Sequence, residues 1–246
     1  LLVTLEFPPQ VGGVAKYYEE FCRQLPQEKI TILADNADIG DKKTDEDQYK
    51  IYRTSFYTKF WPWPRWIFLI FKILRIARRE KAELIHVGQI LPIGTAVLIL
   101  NKLFGMPYWV FTHGMEITMP LKSKRKTFLI KKILNSAERI VSASEFTKDK
   151  LLNLGTKEEK ISVVCPYLPR VEEVDESFVQ ETRGKYGLEG KKVLLSVGRL
   201  VERKGFQQVL RAVPEMLLGC PDLIYLIAGE GEYRKNLEIL IRELSL

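Results

Sequence analysis

Gly12 and Gly13 stand between an apolar run at 1–5 and a helical pattern at 14–25. Two glycines at a turn from strand to helix let a phosphate or a sugar approach bare backbone, and the helix N-terminus favours an anion. The structural alternative is a tight turn that requires positive φ. A glycine pair without the complete dinucleotide fingerprint does not decide between these two interpretations.

A second pattern, His113-Gly114-Met115-Glu116, directly follows a predicted strand at 108–112. A histidine at the carboxyl end of a parallel strand lies where open α/β sheets bind ligands. Gly114 leaves space beside the ring, and Glu116 could orient the ring or contact a substrate hydroxyl. His113 and Glu116 are therefore the candidate catalytic residues, whereas His86, inside a predicted strand, is interpreted as a core histidine with satisfied hydrogen bonds.

A third pattern places Arg199 and Lys204 between a strand at 192–197 and a helix at 206–217. Two cations and a helix N-terminus suit a diphosphate. In a sugar-nucleotide reaction the negative charge grows as the diphosphate departs, so these groups would stabilise the transition state more than the ground state. The alternative is a basic loop without a specific ligand.

A fourth stretch, at 56–81, combines clustered aromatic residues, among them Trp61 and Trp63, with a basic helix. Lys72, Arg75 and Arg79 are three and four residues apart and so share a helix face. Interfacial aromatics beside a cationic face suit an anionic membrane surface. The alternative is that the apolar side of the helix packs on a sheet while the cations face water.

Strand and helix patterns alternate along the chain, which favours parallel βαβ units. Strands are predicted at 1–5, 30–34, 49–52, 83–87, 108–112, 138–142, 161–164, 192–197 and 223–228, and helices at 14–25, 65–79, 93–104, 122–135, 145–154, 206–217 and 233–243. Ser144 is the predicted N-cap and Gly155 the predicted C′ residue of the helix at 145–154.

The fold class is therefore α/β, with a doubly wound parallel Rossmann-like domain at 1–165, a linker at 166–190 that leads into a short helix, and a second Rossmann-like domain at 191–246. Two strands do not make an independent sheet of this type, so we expect the second domain to be incomplete in this chain.

Composition limits the function classes. The 246 residues are 46% hydrophobic and 28% charged, which predicts a packed core rather than disorder. A net charge of +7 favours an anionic partner, but no nucleic-acid-binding motif accompanies it. Three scattered cysteines and two histidines provide neither metal-ligand spacing nor a disulfide framework, so no metal is expected.

Five stretches together resemble the family 4 glycosyltransferases, retaining enzymes of the GT-B fold, which has two facing Rossmann-like domains. They are EFPPQVGGVAKY at 6–17, THGMEI at 112–117, AERIVSASEFTKDKLLNLG at 137–155, VGRLVERKGF at 197–206 and IAGEGEYRKNLE at 227–238. Within the family, WPWP at 61–64 and THGMEI resemble the phosphatidylinositol mannosyltransferase branch.

The resemblance implies a role for each matching position. Gly12 and Gly13 match the loop where acceptor and donor phosphate meet, and His113 matches a histidine near the transferred sugar. Arg199 and Lys204 match the pair that holds the donor diphosphate. No metal or other cofactor is implied; the substrate would be a GDP- or UDP-linked sugar, transferred with retained anomeric configuration.

The family also uses two glutamates with seven residues between them, late in the second domain. Glu230 and Glu238 are eight positions apart in number and so have seven residues between them, but they occupy a different element and lack the expected glycine-rich context. We interpret their spacing as a coincidence and expect the functional pair beyond Leu246, so that this chain lacks part of its donor pocket.

The sequence thus predicts a hexosyltransferase, peripheral on the inner, cytoplasmic face of a membrane, whose partners are a nucleotide sugar, an anionic membrane surface and a lipid or lipid-linked glycan acceptor. A soluble acceptor is the alternative within the enzyme class. From another class, the alternative is a non-catalytic, basic Rossmann-like module that binds anionic membranes or RNA, although no nucleic acid is expected.

Overall fold

The computed structural model describes residues 1–36, 49–59, 63–118, 123–166 and 174–246. The chain divides into two compact units, Leu1–Pro169 and Arg170–Leu246. Helices α1 to α6 and strands β1 to β7 belong to the first unit, and α7 to α9 with β8 and β9 belong to the second.

The first unit is built on a sheet in the order β3-β2-β1-β4-β5-β6-β7, with every neighbouring pair parallel. Its strands are β1 (Leu2–Thr4), β2 (Thr31–Ala34), β3 (Lys50–Arg53), β4 (Ile85–Val87), β5 (Tyr108–Thr112), β6 (Arg139–Ser142) and β7 (Ile161–Val163). The order reverses at β1 and β4, which is the topological switch point of a doubly wound sheet. The predicted α/β class is confirmed.

Helices connect these strands and cover the sheet. They are α1 (Gly13–Arg23), α2 (Leu69–Arg79), α3 (Thr95–Phe104), α4 (Met115–Thr118), α5 (Lys124–Ser136) and α6 (Glu145–Asn153). A short helical turn at Ile90–Gly94 leads into α3. Ser144 caps α6 by accepting a hydrogen bond from the backbone N–H of Thr147 at 3.2 Å, and Gly155 follows with φ +85°, as the sequence predicted.

Two apolar clusters fill the first unit. Successive strand residues alternate between them, because neighbouring side chains of a strand point to opposite faces. Val3 belongs to the larger cluster, with buried residues of α2, α3 and α5. Leu2 belongs to the smaller one, with Tyr17 and Tyr18 of α1. The smaller cluster fixes α1 against the sheet and so positions the aromatic side chains discussed below.

The second unit pairs β8 (Lys192–Val197) in parallel with β9 (Leu223–Ala228). Its helices are α7 (Glu176–Tyr186), α8 (Phe206–Gly219) and α9 (Arg234–Glu243). Residues of α8 and α9 pack around Leu200, Phe206, Leu210 and Leu237.

Two differences from the predicted elements have a local cause. Helix α2 begins at Leu69 rather than at 65, because the residues after Pro64 form turns in which Ile67 donates its N–H to the Pro64 carbonyl. The single turn α4 was not predicted, since four residues are too few to show helical periodicity. The short helix expected in the linker is α7, and Asp175 accepts the backbone N–H of Ser177 as its N-cap.

Candidate functional site

His113 lies directly after β5, at the carboxyl edge of the sheet in the first unit. Its ring is partly buried between two tyrosines of α1. The centroid of the His113 ring lies 4.9 Å from that of Tyr17 and 5.3 Å from that of Tyr18, and both pairs are edge-on. Gly114, with φ +107°, turns the chain from β5 into α4. The strand end and the first turns of α1 therefore enclose the histidine on the edge where such sheets bind ligands.

Hydrogen bonds connect His113 to a neighbouring strand end. Its Nε2 atom lies 2.8 Å from the hydroxyl oxygen of Tyr18, and that hydroxyl also bonds to the carbonyl oxygen of Gly88, just after β4. The Tyr17 hydroxyl instead donates to the Val164 carbonyl at 3.3 Å. Sequence reasoning missed Tyr18, because a tyrosine on the apolar face of a helix gives no sign of a distant polar partner.

The Glu116 carboxylate accepts a hydrogen bond from the backbone N–H of His113. Glu116 therefore orients the turn between β5 and α4, and the hydroxyl of Tyr18 is what contacts the ring. Burial raises the pKa of Glu116; the hydrogen bond from His113 opposes that shift, and the nearby Glu6 adds to it.

Burial also determines the charge of the aromatic cluster. It lowers the pKa of His113 to about 4, so the imidazole is neutral at pH 7. It raises the pKa of Tyr17 to about 12 and that of Tyr18 well above its ordinary value. The site therefore presents a neutral imidazole, which suits hydrogen bonding to a polar ligand better than proton donation.

The glycine pair does not serve a positive-φ turn. Gly12 has an extended backbone, with φ 177°, and neither glycine is among those with positive φ. A Cβ at Gly13 would meet nothing within 4 Å, and one at Gly12 would meet only a Glu6 carboxylate oxygen at 3.5 Å. Helix α1 begins here without a side-chain cap or an acidic residue in its first turn. The structural alternative for this pair therefore has no support.

In the second unit, Arg199 and Lys204 lie on the segment that joins β8 to α8. Both are exposed, and neither makes a side-chain hydrogen bond or ion pair within the described parts of the chain. Gly205, with φ +77°, ends the segment immediately before α8. Two uncompensated cations thus stand beside the start of a long helix.

The two loops at the carboxyl ends of β8 and β9 are in close backbone contact. Leu200 donates its N–H to the Glu230 carbonyl at 2.8 Å. A Cβ at Gly229 would lie 1.9 Å from the carbonyl oxygen of Gly198, so only glycine fits there. This contact fixes the backbone on which Arg199 is carried.

Glu230 and Glu238 are both engaged by one guanidinium. Arg234 Nη1 bonds to Glu230 at 2.8 Å, and Arg234 Nε bonds to Glu238 at 2.9 Å. An exposed ion-paired arrangement at the start of α9 explains their spacing and supports the interpretation that it is a coincidence.

The aromatic and basic stretch is only partly in the described chain, because Trp61 lies outside it. Trp63 is 85% exposed and Phe71 is 63% exposed. Lys72 donates to the Thr54 hydroxyl at 2.9 Å and to the Ser55 carbonyl, so it is tied to the segment after β3.

The remaining cations of α2 have different surroundings. The guanidinium carbon of Arg79 lies 5.6 Å from the centroid of the Tyr52 ring, and that of Arg78 lies 5.1 Å from the centroid of the Phe104 ring of α3. Arg75 is exposed. Helical spacing groups Phe71, Arg75 and Arg78 on the outer face of the helix, whereas Lys72 and Arg79 contact β3 and its following segment. Of the predicted face of Lys72, Arg75 and Arg79, Arg75 and Arg79 are exposed, whereas Lys72 is bonded to the segment after β3.

His86 is a core histidine, but the expectation that its hydrogen bonds are satisfied is wrong. Its ring packs against Phe21, Trp109 and Phe111, and its buried Nδ1 has no hydrogen-bond partner among the residues that the structure describes. Burial lowers the pKa of His86 to about 4. His86 is therefore a neutral ring that packs among aromatic side chains.

No group of three or more His, Cys, Asp or Glu side chains in the described residues could hold a metal ion. In the same residues no helix has the length and the apolar character that crossing a bilayer requires.

Comparisons with known proteins match both units. The family model of Glycosyltransferase Family 4 matches residues 11–167, and that of Glycosyl transferases group 1 matches residues 178–246. The chain is 26% identical over 256 residues to the GDP-mannose-dependent alpha-(1-6)-phosphatidylinositol monomannoside mannosyltransferase of Mycolicibacterium smegmatis, covering 100% of this chain and 64% of that protein. It is 24% identical to the alpha-monoglucosyldiacylglycerol synthase of Streptococcus pneumoniae, covering 100% of this chain and 58% of the synthase.

Solved structures show the fold. HepE of Anabaena, in complex with UDP and glucose, superimposes with a TM-score of 0.80 at 16% identity, over 99% of this chain and 66% of HepE. Sucrose-phosphate synthase from Thermosynechococcus elongatus gives a TM-score of 0.71 at 16% identity, over 100% of this chain and 68% of the synthase. The predicted GT-B fold class is confirmed, and the chain spans 64% of the M. smegmatis relative's length.

Proposed function

Because the chain belongs to Glycosyltransferase Family 4, we propose that it transfers a hexosyl group from a GDP- or UDP-linked sugar to a hydroxyl acceptor. The anomeric configuration is retained, and neither a metal nor another cofactor takes part. The observation that carries the proposal is the site around His113, where a neutral imidazole at the carboxyl edge of the sheet lies against α1, whose glycine N-terminus is uncapped.

In the first unit, the bare backbone at Gly12 and Gly13 leaves room for a sugar or a phosphate. Helix N-terminal N–H groups bind anions without a counter-cation, so this position suits the phosphate nearest the transferred sugar. His113 and Glu116 contribute hydrogen-bonding groups at the same strand end. Their role is to hold the sugar while the anomeric carbon exchanges its bond to the diphosphate oxygen for a bond to the acceptor oxygen.

In the second unit, Arg199 and Lys204 hold the diphosphate. Cations that have no carboxylate partner in the protein keep their full charge for a ligand. As the bond between the anomeric carbon and the diphosphate oxygen breaks, negative charge builds up on that oxygen. Arg199 and Lys204 interact more strongly with the departing diphosphate than with the intact donor, which lowers the barrier.

Retention follows when the acceptor oxygen attacks from the face that the diphosphate leaves. The new bond joins the acceptor oxygen to the anomeric carbon, and the acceptor proton passes to the departing diphosphate oxygen. No side chain is assigned as a nucleophile. The reaction therefore depends on positioning and on charge stabilisation rather than on a covalent enzyme intermediate.

The proposed acceptor is a lipid or a lipid-linked glycan, with the protein peripheral on the cytoplasmic face of a membrane. Support comes from the exposed Trp63 and Phe71, from Arg75 beside them, and from relatives whose names specify lipid acceptors. Aromatic side chains enter the headgroup region, and cations attract anionic lipids. Trp61, Lys72 and Arg79 were predicted to join this contact; Trp61 lies outside the described residues, Lys72 is held by the segment after β3, and Arg79 lies over the Tyr52 ring with its side chain exposed.

Nucleotide binding tests the donor site. Thermal unfolding of the chain is followed while GDP and UDP are titrated, because a ligand that binds only the folded state raises its apparent stability with the logarithm of ligand concentration. The titration is made on this chain and on a form extended beyond Leu246. We expect one nucleotide to stabilise the extended form, and Arg199→Ala and Lys204→Ala to remove most of that effect. Arg203→Ala is the matched control, since Arg203 is an exposed cation on the same segment.

The outcomes separate the hypotheses. Equal losses in Lys204→Ala and Arg203→Ala would mean that general positive charge, and not a site, attracts the nucleotide. Stabilisation by neither nucleotide, together with binding to anionic vesicles or RNA, would favour the non-catalytic module. Transfer to soluble sugars with indifference to vesicles would favour a soluble acceptor.

A further inference from the structure

Tyr18 occupies a position between two strand ends. Its ring is fully buried on α1 and packs edge-on against Phe111 of β5, with centroids 5.8 Å apart. Its hydroxyl reaches the Gly88 carbonyl after β4 and the Nε2 atom of His113 after β5. The hydroxyl oxygen therefore has two partners, and neither belongs to its own helix.

The backbone at Gly88 is held in place by a steric constraint. A Cβ at this position would lie 2.8 Å from the Val3 carbonyl oxygen and 2.9 Å from the Thr4 Cβ. The Gly88 N–H also donates to the Val3 carbonyl at 2.8 Å. The Gly88 carbonyl is thus a fixed acceptor, against which the Tyr18 hydroxyl is oriented.

Counting protons determines the direction of both hydrogen bonds. A carbonyl oxygen only accepts, so the single hydroxyl proton of Tyr18 goes to Gly88. The Tyr18 oxygen then has only lone pairs to offer to His113, and its partner Nε2 must carry a proton. A neutral imidazole has one N–H, so protonation at Nε2 leaves Nδ1 with a lone pair.

We propose that Tyr18 is a positioning residue that locks His113 in the Nε2–H tautomer, so that Nδ1 is the atom that accepts a hydrogen bond from a substrate hydroxyl. Within the described part of the chain, the hydrogen bond made by the His113 ring involves Nε2 and not Nδ1. This inference deepens the proposed function, and the identity of the substrate rests on that function. The ring would select a ligand group that donates a hydrogen bond, such as a sugar hydroxyl, over a phosphate oxygen, which only accepts one.

Tyr17 provides a matched control. Its ring also packs edge-on against His113, at 4.9 Å, but its hydroxyl donates to the Val164 carbonyl. Tyr17→Phe and Tyr18→Phe therefore remove one hydroxyl each from rings that contact the same imidazole. Only Tyr18→Phe removes a hydrogen bond from that imidazole.

The test is nitrogen NMR of the chain labelled with ¹⁵N at histidine, at pH 7. The sequence has only two histidines, and His86→Gln assigns their resonances. We expect His113 to show a protonated Nε2 and an unprotonated Nδ1 in the wild type and in Tyr17→Phe. In Tyr18→Phe we expect averaged shifts at both nitrogens, since the ring then exchanges between tautomers.

Either of two results overturns the proposal: a protonated Nδ1 in the wild type, or an unchanged Nε2–H pattern in Tyr18→Phe. The His86 resonances report whether each variant is folded. If Tyr18→Phe does not fold, the wild-type spectrum still decides, because the proposal requires a nuclear Overhauser contact between the Nε2-bound proton and the Tyr18 ring.

Kinetics connect the tautomer to the reaction. In a sugar-transfer assay we expect Tyr18→Phe to lower kcat about 10- to 100-fold, by analogy with the loss seen when the partner that orients a metal-ligating histidine is removed. The KM for the nucleotide sugar should stay unchanged, because the diphosphate contacts remain. Unaltered kcat would overturn the functional part of the proposal. A wild-type protein that transfers no sugar would refute the proposed function, whereas the spectra would still decide the tautomer.

Discussion

Replacing Gly13 by alanine separates the functional from the structural interpretation of the glycine pair. Gly13 is the first residue of α1, lacks positive φ, and has open space where a Cβ would be. Alanine loses less conformational freedom on folding than glycine, so we expect Gly13→Ala to stabilise the protein by about 0.4–1 kcal/mol. For a chain of this length, that corresponds to a rise in Tm of roughly 1–4 °C.

The added methyl group should have the opposite effect on ligand binding. If a sugar or a phosphate approaches this backbone, one extra carbon in its path weakens binding by about 10- to 100-fold. Calorimetric titration with GDP-mannose and UDP-glucose, beside thermal unfolding, measures both quantities. Gly184→Ala in α7 is the matched control, because its Cβ would meet a single atom, at 3.9 Å, where a Cβ at Gly13 would meet none within 4 Å.

Two results would refute this reasoning. A clear loss of stability in Gly13→Ala would mean that the turn itself requires glycine. Unchanged affinity for the nucleotide sugar that the wild type binds would mean that no ligand approaches Gly13. Gly184→Ala should raise stability and leave that affinity unaltered.

Other predictions concern stability and membrane contact. Burial lowers the pKa of His86 and of His113 to about 4, so the unfolded state binds protons that the folded state does not. Stability that is present above pH 6.5 is therefore lost as the pH falls toward 4, by at most about 3 kcal/mol for each histidine. Equal denaturant midpoints of His86→Leu and wild type at both pH 7 and pH 4.5 would contradict this prediction. Gly88→Ala should lower the free energy of unfolding by about 1–3 kcal/mol, because its Cβ would lie 2.8 Å from a β1 carbonyl, and an unchanged urea midpoint would argue against that contact. Arg75→Ala should weaken sedimentation with phosphatidylglycerol vesicles about fivefold, and Phe71→Ala should weaken it further, with no such change on neutral vesicles; equal binding of both variants and wild type would remove α2 from the membrane contact.

Much of the fold could be predicted from the sequence, because buried parallel strands are short apolar runs with clear ends. The bounds of β5, β8 and β9 agree with the predicted ones to the residue. The start of α2 was predicted four residues too early, at 65 instead of Leu69, since the residues after Pro64 have helical composition but form turns. Local pattern therefore locates an element better than it locates the element's first turn.

The surroundings of individual side chains could be predicted less well. His113 was found from its position at a strand end, but Tyr18 was not, because its hydrogen-bond partners are 70 and 95 positions away in the sequence. Helical spacing likewise placed Lys72 on the face of Arg75, whereas the Lys72 ammonium bonds to the segment after β3. Periodicity reports which way a side chain points and carries no information on what a distant segment brings next to it.

The central claim is sugar transfer to a lipid acceptor with retention, and one measurement tests it directly. The protein is incubated with ¹³C-labelled GDP-mannose or UDP-glucose and with vesicles that contain phosphatidylinositol and diacylglycerol, and the lipid fraction is examined by NMR at the anomeric carbon. The account predicts that one donor delivers its sugar to lipid in the α configuration that the donor has, and that Lys204→Ala abolishes the signal. A β-linked product, or no lipid-linked sugar from either donor, would contradict it.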